Sequence, residues 1–230
     1  MLHPQGRMTK LSLLAILGAC ITFAAIVISD PIPEPTMSPQ SIKCRTEADV
    51  RGEAVYECIR REYTEEQRNE TLSMFPDTKC LPCKHLCRKQ DLLTQCMRNG
   101  AESLRNISNK STEMVPLIAE MLETALITLC ENDGDMMNVQ EDEEDKECFR
   151  RMWKKCKTSV SFMDDLDTVA LCDSEEEETD PFTKEYVCQN VAEFFQCSEG
   201  EGESCSPKVK TRVSRMKSRI SGLDSCAKYF

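Results

Sequence analysis

Histidine is almost missing from this sequence: its 230 residues hold two, His3 and His85. A Ser–His–Asp hydrolase needs one histidine as its base. Beyond the N-terminal leader, only His85 is available for that role. Neither HExxH nor GxSxG occurs in the chain. A secreted phospholipase would follow its histidine with aspartate and place a glycine-rich calcium loop before it. Here Leu86 follows His85 and no such loop precedes it. His85 therefore reads as a partly exposed helix residue, and a lipase-like hydrolase using it is the weaker alternative. Glycine is also scarce, with six after residue 29, and alternating strand-like patterns are hard to find.

Those absences bear on the densest cysteine cluster, CLPCKHLC at 80–87. A zinc site would need a second ligand pair at suitable spacing, but the next cysteines are Cys96 and Cys130. Thioredoxin-like chemistry at CxxC needs alternating strands and helices, and no such alternation is present. No metal or other cofactor is expected.

What the sequence does have is cysteine, fifteen in all. Residues 1–10 carry Arg7 and Lys10 and no acid, and residues 11–29 are apolar and uncharged, the pattern of a secretory signal. Val27 and Ser29 suit a cleavage site after Ser29. The apolar run is also about long enough to stay as a membrane anchor. In either case the rest of the chain lies outside the cytosol. Cys20 falls in the leader, leaving fourteen cysteines: Cys44, Cys58, Cys80, Cys83, Cys87, Cys96, Cys130, Cys148, Cys156, Cys172, Cys188, Cys197, Cys205 and Cys226. An even, high count in an exported chain implies a disulfide framework, although spacing does not fix the pairing. Three sequons begin at Asn69, Asn106 and Asn109 and are candidate glycan acceptors. After residue 29 there are 27 Lys/Arg against 40 Asp/Glu, a formal charge of −13, which argues against nucleic acid as a partner.

Residues 30–40 hold four prolines and read as an extended lead-in to a Cys-rich helical domain over 41–230, divisible into 41–110 and 111–230. Helical spacing appears around 54–63 (Val55, Cys58, Ile59, Glu62) and 85–97 (Leu86, Leu93, Cys96, Met97). The clearest helix is 111–130, whose stripe runs through Met114, Leu117, Ile118, Met121, Leu122, Ala125, Leu126 and Leu129. Ser111 or Thr112 would cap it, Pro116 requires a nearby start, and NDGD at 132–135 would break it. Its methionine-rich stripe suits core packing better than a ligand cavity. Further helices are expected at 146–156, 185–197 and 207–223, the last capped by Ser206 with Pro207 behind it.

Cys148 and Cys156 are eight residues apart on one helix, so their Cα atoms are about 12 Å apart. A disulfide needs about 7 Å or less, so both must reach other segments. Cys188 and Cys197 face the same constraint. The acidic runs 141–145, 174–178 and 198–204 read as solvated connectors. An EF-hand register that uses Gly134 fails, because it places Leu129 first and Gln140 last. The helix at 207–223 has a basic polar face: Lys208, Lys210, Arg212, Arg215, Lys217 and Arg219. The expectation is that it docks its apolar stripe and pairs these charges with acidic loops; the alternative is a weak contact with an anionic partner.

Cys130, Asp133–Gly134–Asp135, Cys148, Cys156, Cys188, Cys197, Cys205 and Cys226 follow the order and spacing of a known pattern. It has a hydrophobic helix ending in Cys, a DGD turn, an EC…C helix, a CQ…C segment, a further Cys, an amphipathic helix and a terminal Cys. Over about residues 117–226 the chain resembles the insect 27 kDa hemolymph glycoproteins. The likeness is weaker upstream, and Cys83 and the acidic inserts depart from the pattern. The resemblance implies a secreted, helical, disulfide-bonded protein and gives little mechanism.

The sequence therefore predicts an all-α, disulfide-stapled bundle of about five to seven helices. It would be secreted and N-glycosylated, and would act by binding or carriage on an unknown extracellular ligand or protein, without catalysis. A membrane is a partner only if residues 11–29 are retained.

Overall fold

A computed structural model describes residues 38–230, apart from Lys79 and residues 135–141 and 175–179. The leader, nearly all of the proline-rich lead-in and most of the acidic run at 174–178 lie outside the described residues. Eight α-helices and no strand occur among the described residues. They are α1 Pro39–Arg61, α2 Glu65–Met74, α3 Leu81–Arg88, α4 Gln90–Leu104, α5 Asn109–Gly134, α6 Glu143–Cys156, α7 Lys184–Glu201 and α8 Pro207–Ser221. Between α6 and α7 the chain tightens into a 3-10 segment, Lys157–Asp165, and one π-helical turn, Asp167–Leu171.

The helix starts follow capping chemistry. Ser38, Thr64, Thr183 and Ser206 each accept a backbone N–H in the following turn, and Pro39 and Pro207 occupy first-turn positions where no N–H is required. Pro39 thus belongs to a helix rather than to the extended lead-in. α5 begins earlier than expected. Ser108 is its cap and accepts from Ser111 N at 3.0 Å, while the Ser111 hydroxyl accepts from Ser108 N at 2.8 Å, a reciprocal capping pair. Pro116 consequently sits nearly two turns inside the helix. Met114, Val115, Leu117 and Ile118 are buried around it, and this packing holds the helix together despite the lost backbone bond. At the other end Gly134 has φ 79°, a left-handed conformation that glycine adopts without a Cβ clash.

Two acidic runs expected to be connectors are helical. Asp142 caps α6, and Glu143, Glu144 and Asp145 fill its first turn, where the helix dipole favours negative charge. Residues 198–201 are the last turn of α7 and 202–204 a 3-10 turn. Ser198 and Gly200 do not stop the helix, Ser198 being buried against neighbouring elements, and α7 ends only at its C-cap, Gly202.

α5 is the central element. Its first half packs Met114, Leu117, Ile118 and Met121 against Phe162, Val169, Ala170, Val187, Val191, Phe195 and Ile220. Its second half packs Leu126 and Leu129 against Val55, Ile59, Leu86, Leu93 and Met97. The methionine-rich stripe is therefore core. The core is continuous across the 110/111 boundary, and two disulfides, Cys44–Cys172 and Cys87–Cys130, also cross it.

All fourteen cysteines after the leader are paired. The other bridges are Cys58–Cys96, Cys80–Cys83, Cys148–Cys205, Cys156–Cys197 and Cys188–Cys226. As geometry required, Cys148 and Cys156 on α6 do not bridge each other but pair with separate partners, and so do Cys188 and Cys197 on α7.

Candidate functional site

His85 lies on α3, which the sequence pattern had merged with α4; the two are separate helices that meet at Lys89. The ring is fully buried, not partly exposed as expected. α3 is short and is anchored by Cys80 and Cys83 at its first turn and Cys87 near its end. Leu86 and the Cys87–Cys130 bridge hold one side of α3 on the core, while His85 projects from another side and is covered by α2 and the end of α1. Its Nε2–H donates to the Glu62 backbone carbonyl at 2.6 Å, at the end of α1. That bond leaves Nδ1 of the neutral ring as an acceptor for the Thr71 hydroxyl of α2, at 2.7 Å. Tyr63 meets the ring edge-on at 4.8 Å between centroids.

Cations surround the ring. Arg88 Nη1 donates to Thr71 Oγ1 at 3.0 Å, and its other nitrogen pairs with Glu70. Lys89 pairs with the Glu62 carboxylate at 2.9 Å. Burial pushes the His85 pKa below its ordinary value, with Lys89, Arg88 and Arg68 adding to the fall, against the opposing effect of the Glu62 backbone bond. Arg88 likewise holds the Glu70 carboxyl low through its hydrogen bond. Thr71 and His85 have the atomic contact of a nucleophile and its base. Both are closed off from solvent, however, and the acid of a triad is replaced by a backbone carbonyl. The arrangement ties α1, α2 and α3 together. α2 buries no residue except Thr71, so this polar contact is its main anchor.

Sequence reasoning missed Thr71 and the Glu62 carbonyl. Neither has an apolar signature, and Thr71 stood out only as the third residue of the Asn69 sequon. Asn69, in α2, Asn106, in the turn before α5, and Asn109, the first residue of α5, are all exposed. Among the described residues no group of three or more His, Cys, Asp or Glu side chains could hold a metal, and Asp135 of the DGD turn lies outside them.

The basic face of α8 divides in two. Val209, Val213 and Ile220 are buried on the inner side, with Met216 and Leu223 beside them. Arg212 is buried too, on the border of the apolar stripe, so it does not belong to the outward face where the sequence pattern placed it. Lys217 pairs with Glu199 at 2.7 Å and Arg219 with Glu131 at 2.5 Å. These acids lie in α7 and α5 rather than in loops. Lys208, Lys210 and Arg215 form no ion pair with the described residues. No helix among the described residues is long and apolar enough to cross a membrane. No protein-family model, curated protein or solved structure matches this chain.

Proposed function

We propose that this chain is a secreted, N-glycosylated protein of extracellular fluid that acts by binding or carriage and carries out no catalysis. The observation that carries this reading is the pairing of every cysteine after residue 29 into seven disulfides, a state that oxidising compartments maintain and the cytosol does not. The basic–apolar leader and three exposed sequon asparagines support export. The resemblance of residues 117–226 to hemolymph glycoproteins supports the same location. The absence of catalysis is argued from His85, the one histidine past the leader, whose two ring nitrogens are both engaged inside the fold. Because the α5 stripe is filled by core side chains, a partner would be met at the surface.

Native mass spectrometry of material recovered from the extracellular medium, without reduction, tests the reading. The expected protein begins near Asp30, lacks fourteen hydrogens relative to the reduced chain, takes up no thiol label and loses mass on glycosidase treatment. Several alkylated thiols, or a stoichiometric metal, would overturn it. Retention of residues 11–29 would make the chain an anchored ectodomain instead.

A further inference from the structure

The outward side of α8 carries an arrangement that pairing within the fold does not use up. Thr211, Ser214 and Ser218 form a stripe of exposed hydroxyl residues at helical spacing. Basic side chains flank it on both sides: Lys210 and Lys217 on one, Lys208, Arg215 and Arg219 on the other. The three hydroxyl residues, Lys210, Arg215 and Arg219 line a trough of about 810 Å³ that runs past Gly222 and is bounded by Glu131 of α5; a smaller depression of about 240 Å³ beside Lys208 continues it toward Pro207, and Lys217 stands outside both. Lys217 and Arg219 are held by Glu199 and Glu131 at one end. The other three cations have no ion-pair partner among the described residues, in a chain with eleven more negative than positive charges.

We propose that this trough binds a sulfated linear polysaccharide of the extracellular space. This deepens the binding reading above, and rests on it, by naming a partner class. The charge rows match an extended polyanion. Lys208 and Arg215 are seven residues apart, as are Lys210 and Lys217, which puts each pair about 10.5 Å apart along the axis. The full basic stretch from Lys208 to Arg219 covers about 16 Å. A straight anionic chain laid along α8 meets cations on both flanks, and the hydroxyl floor offers hydrogen bonds to sugar oxygens. Arg215 adds the planar donor fork that suits sulfate oxygens. The same geometry disfavours a membrane. A surface-lying helix inserts apolar side chains from the face toward the lipid, and on α8 Val209, Val213 and Ile220 are buried in the protein instead.

The test uses the full secreted protein on immobilised heparin at about 0.15 M NaCl. The expected result is retention, with log affinity falling linearly against log salt concentration. Lys208→Gln/Lys210→Gln/Arg215→Gln, which alters side chains with no ion-pair partner among the described residues, is expected to weaken binding at least tenfold and to flatten the salt slope by about two to three. A footprint on the unaltered protein makes the result independent of any variant's folding: heparin should protect Lys208 and Lys210 from amine acetylation but not exposed Lys43 on α1. Flow-through of the unaltered protein, an unchanged triple variant, equal protection of Lys43, or binding to phosphatidylserine vesicles without binding to heparin would each overturn the proposal. Seven intact disulfides alongside any of these results would remove the polysaccharide and leave the extracellular reading standing. Free thiols would remove that reading whatever the column shows.

Discussion

His85 joins three helices through two hydrogen bonds, so its protonation is coupled to folding. The folded protein holds its pKa below the ordinary value of about 6.5, chiefly because burial disfavours the charged ring. The unfolded chain therefore takes up this proton more readily than the folded one. Its stabilising contribution is complete above about pH 6.5 and is lost as pH falls through the lowered folded value. Urea midpoints for the intact-disulfide protein should drop between about pH 6.5 and pH 5, before most carboxylates titrate. His85→Gln should flatten that decline, and His85→Ala should cost about 2–4 kcal/mol at pH 7.5 by opening a cavity and removing the ring's hydrogen bonds to the Glu62 carbonyl and the Thr71 hydroxyl. Parallel pH profiles for the unaltered protein and His85→Gln would refute the coupling. None of this was legible in the sequence. Burial of a polar residue is set by its partners, and Thr71 and the Glu62 carbonyl lie 14 and 23 residues away. The disulfide role of the neighbouring cysteines, by contrast, followed from their even number and the signal-like pattern of residues 1–29.

Between elements, α1 and α4 approach each other tightly at Gly100. A Cβ built there would run into Val55, lying 3.0 Å from Cγ1 and closer still to Cγ2. Val55 is buried beside the Cys58–Cys96 bridge and is stiff about its first side-chain torsion, so it has little room to yield. Alanine would improve helix propensity by about 1 kcal/mol, but overpacking costs about 1–3 kcal/mol. Gly100→Ala is therefore expected to lower stability by about 1–2 kcal/mol, and Val55→Ala in the same chain should recover part of the loss. A more stable Gly100→Ala protein by thermal denaturation would show that the helices can separate at no cost. The helices found by periodicity, such as α5 with its stripe from Met114 to Leu129 and α8 with Val209, Val213 and Ile220, are those whose burial rests on apolar side chains. α2 escaped notice because it buries a threonine and little else. The 157–171 segment escaped because Phe162, Val169, Ala170 and Leu171 follow 3-10 and π turns, in which the spacing of 3.6 residues does not hold.

Across the whole molecule, the seven bridges differ widely in how much chain they close. Cys44–Cys172 joins residues 128 apart and ties the first helix to the segment before α7. Five others span 38 to 57 residues. Cys80–Cys83 spans three and constrains a single turn that α3 already defines. If restricting the unfolded chain is the main effect, removing a bridge by paired Cys→Ala changes should cost about 5 kcal/mol for Cys44–Cys172, about 4 kcal/mol for Cys58–Cys96 and about 2 kcal/mol for Cys80–Cys83. Both partners of the shortest bridge are as buried as those of the longer ones, so lost packing alone would predict nearly equal costs. Denaturant midpoints for the three paired variants, measured without reductant, separate these accounts. A graded loss that follows loop length locates the stabilisation in the unfolded ensemble. A Cys80/Cys83 variant as unstable as the Cys44/Cys172 variant would place it in the native contacts, with the first turn of α3 depending on its sulfurs to hold His85 against α1 and α2.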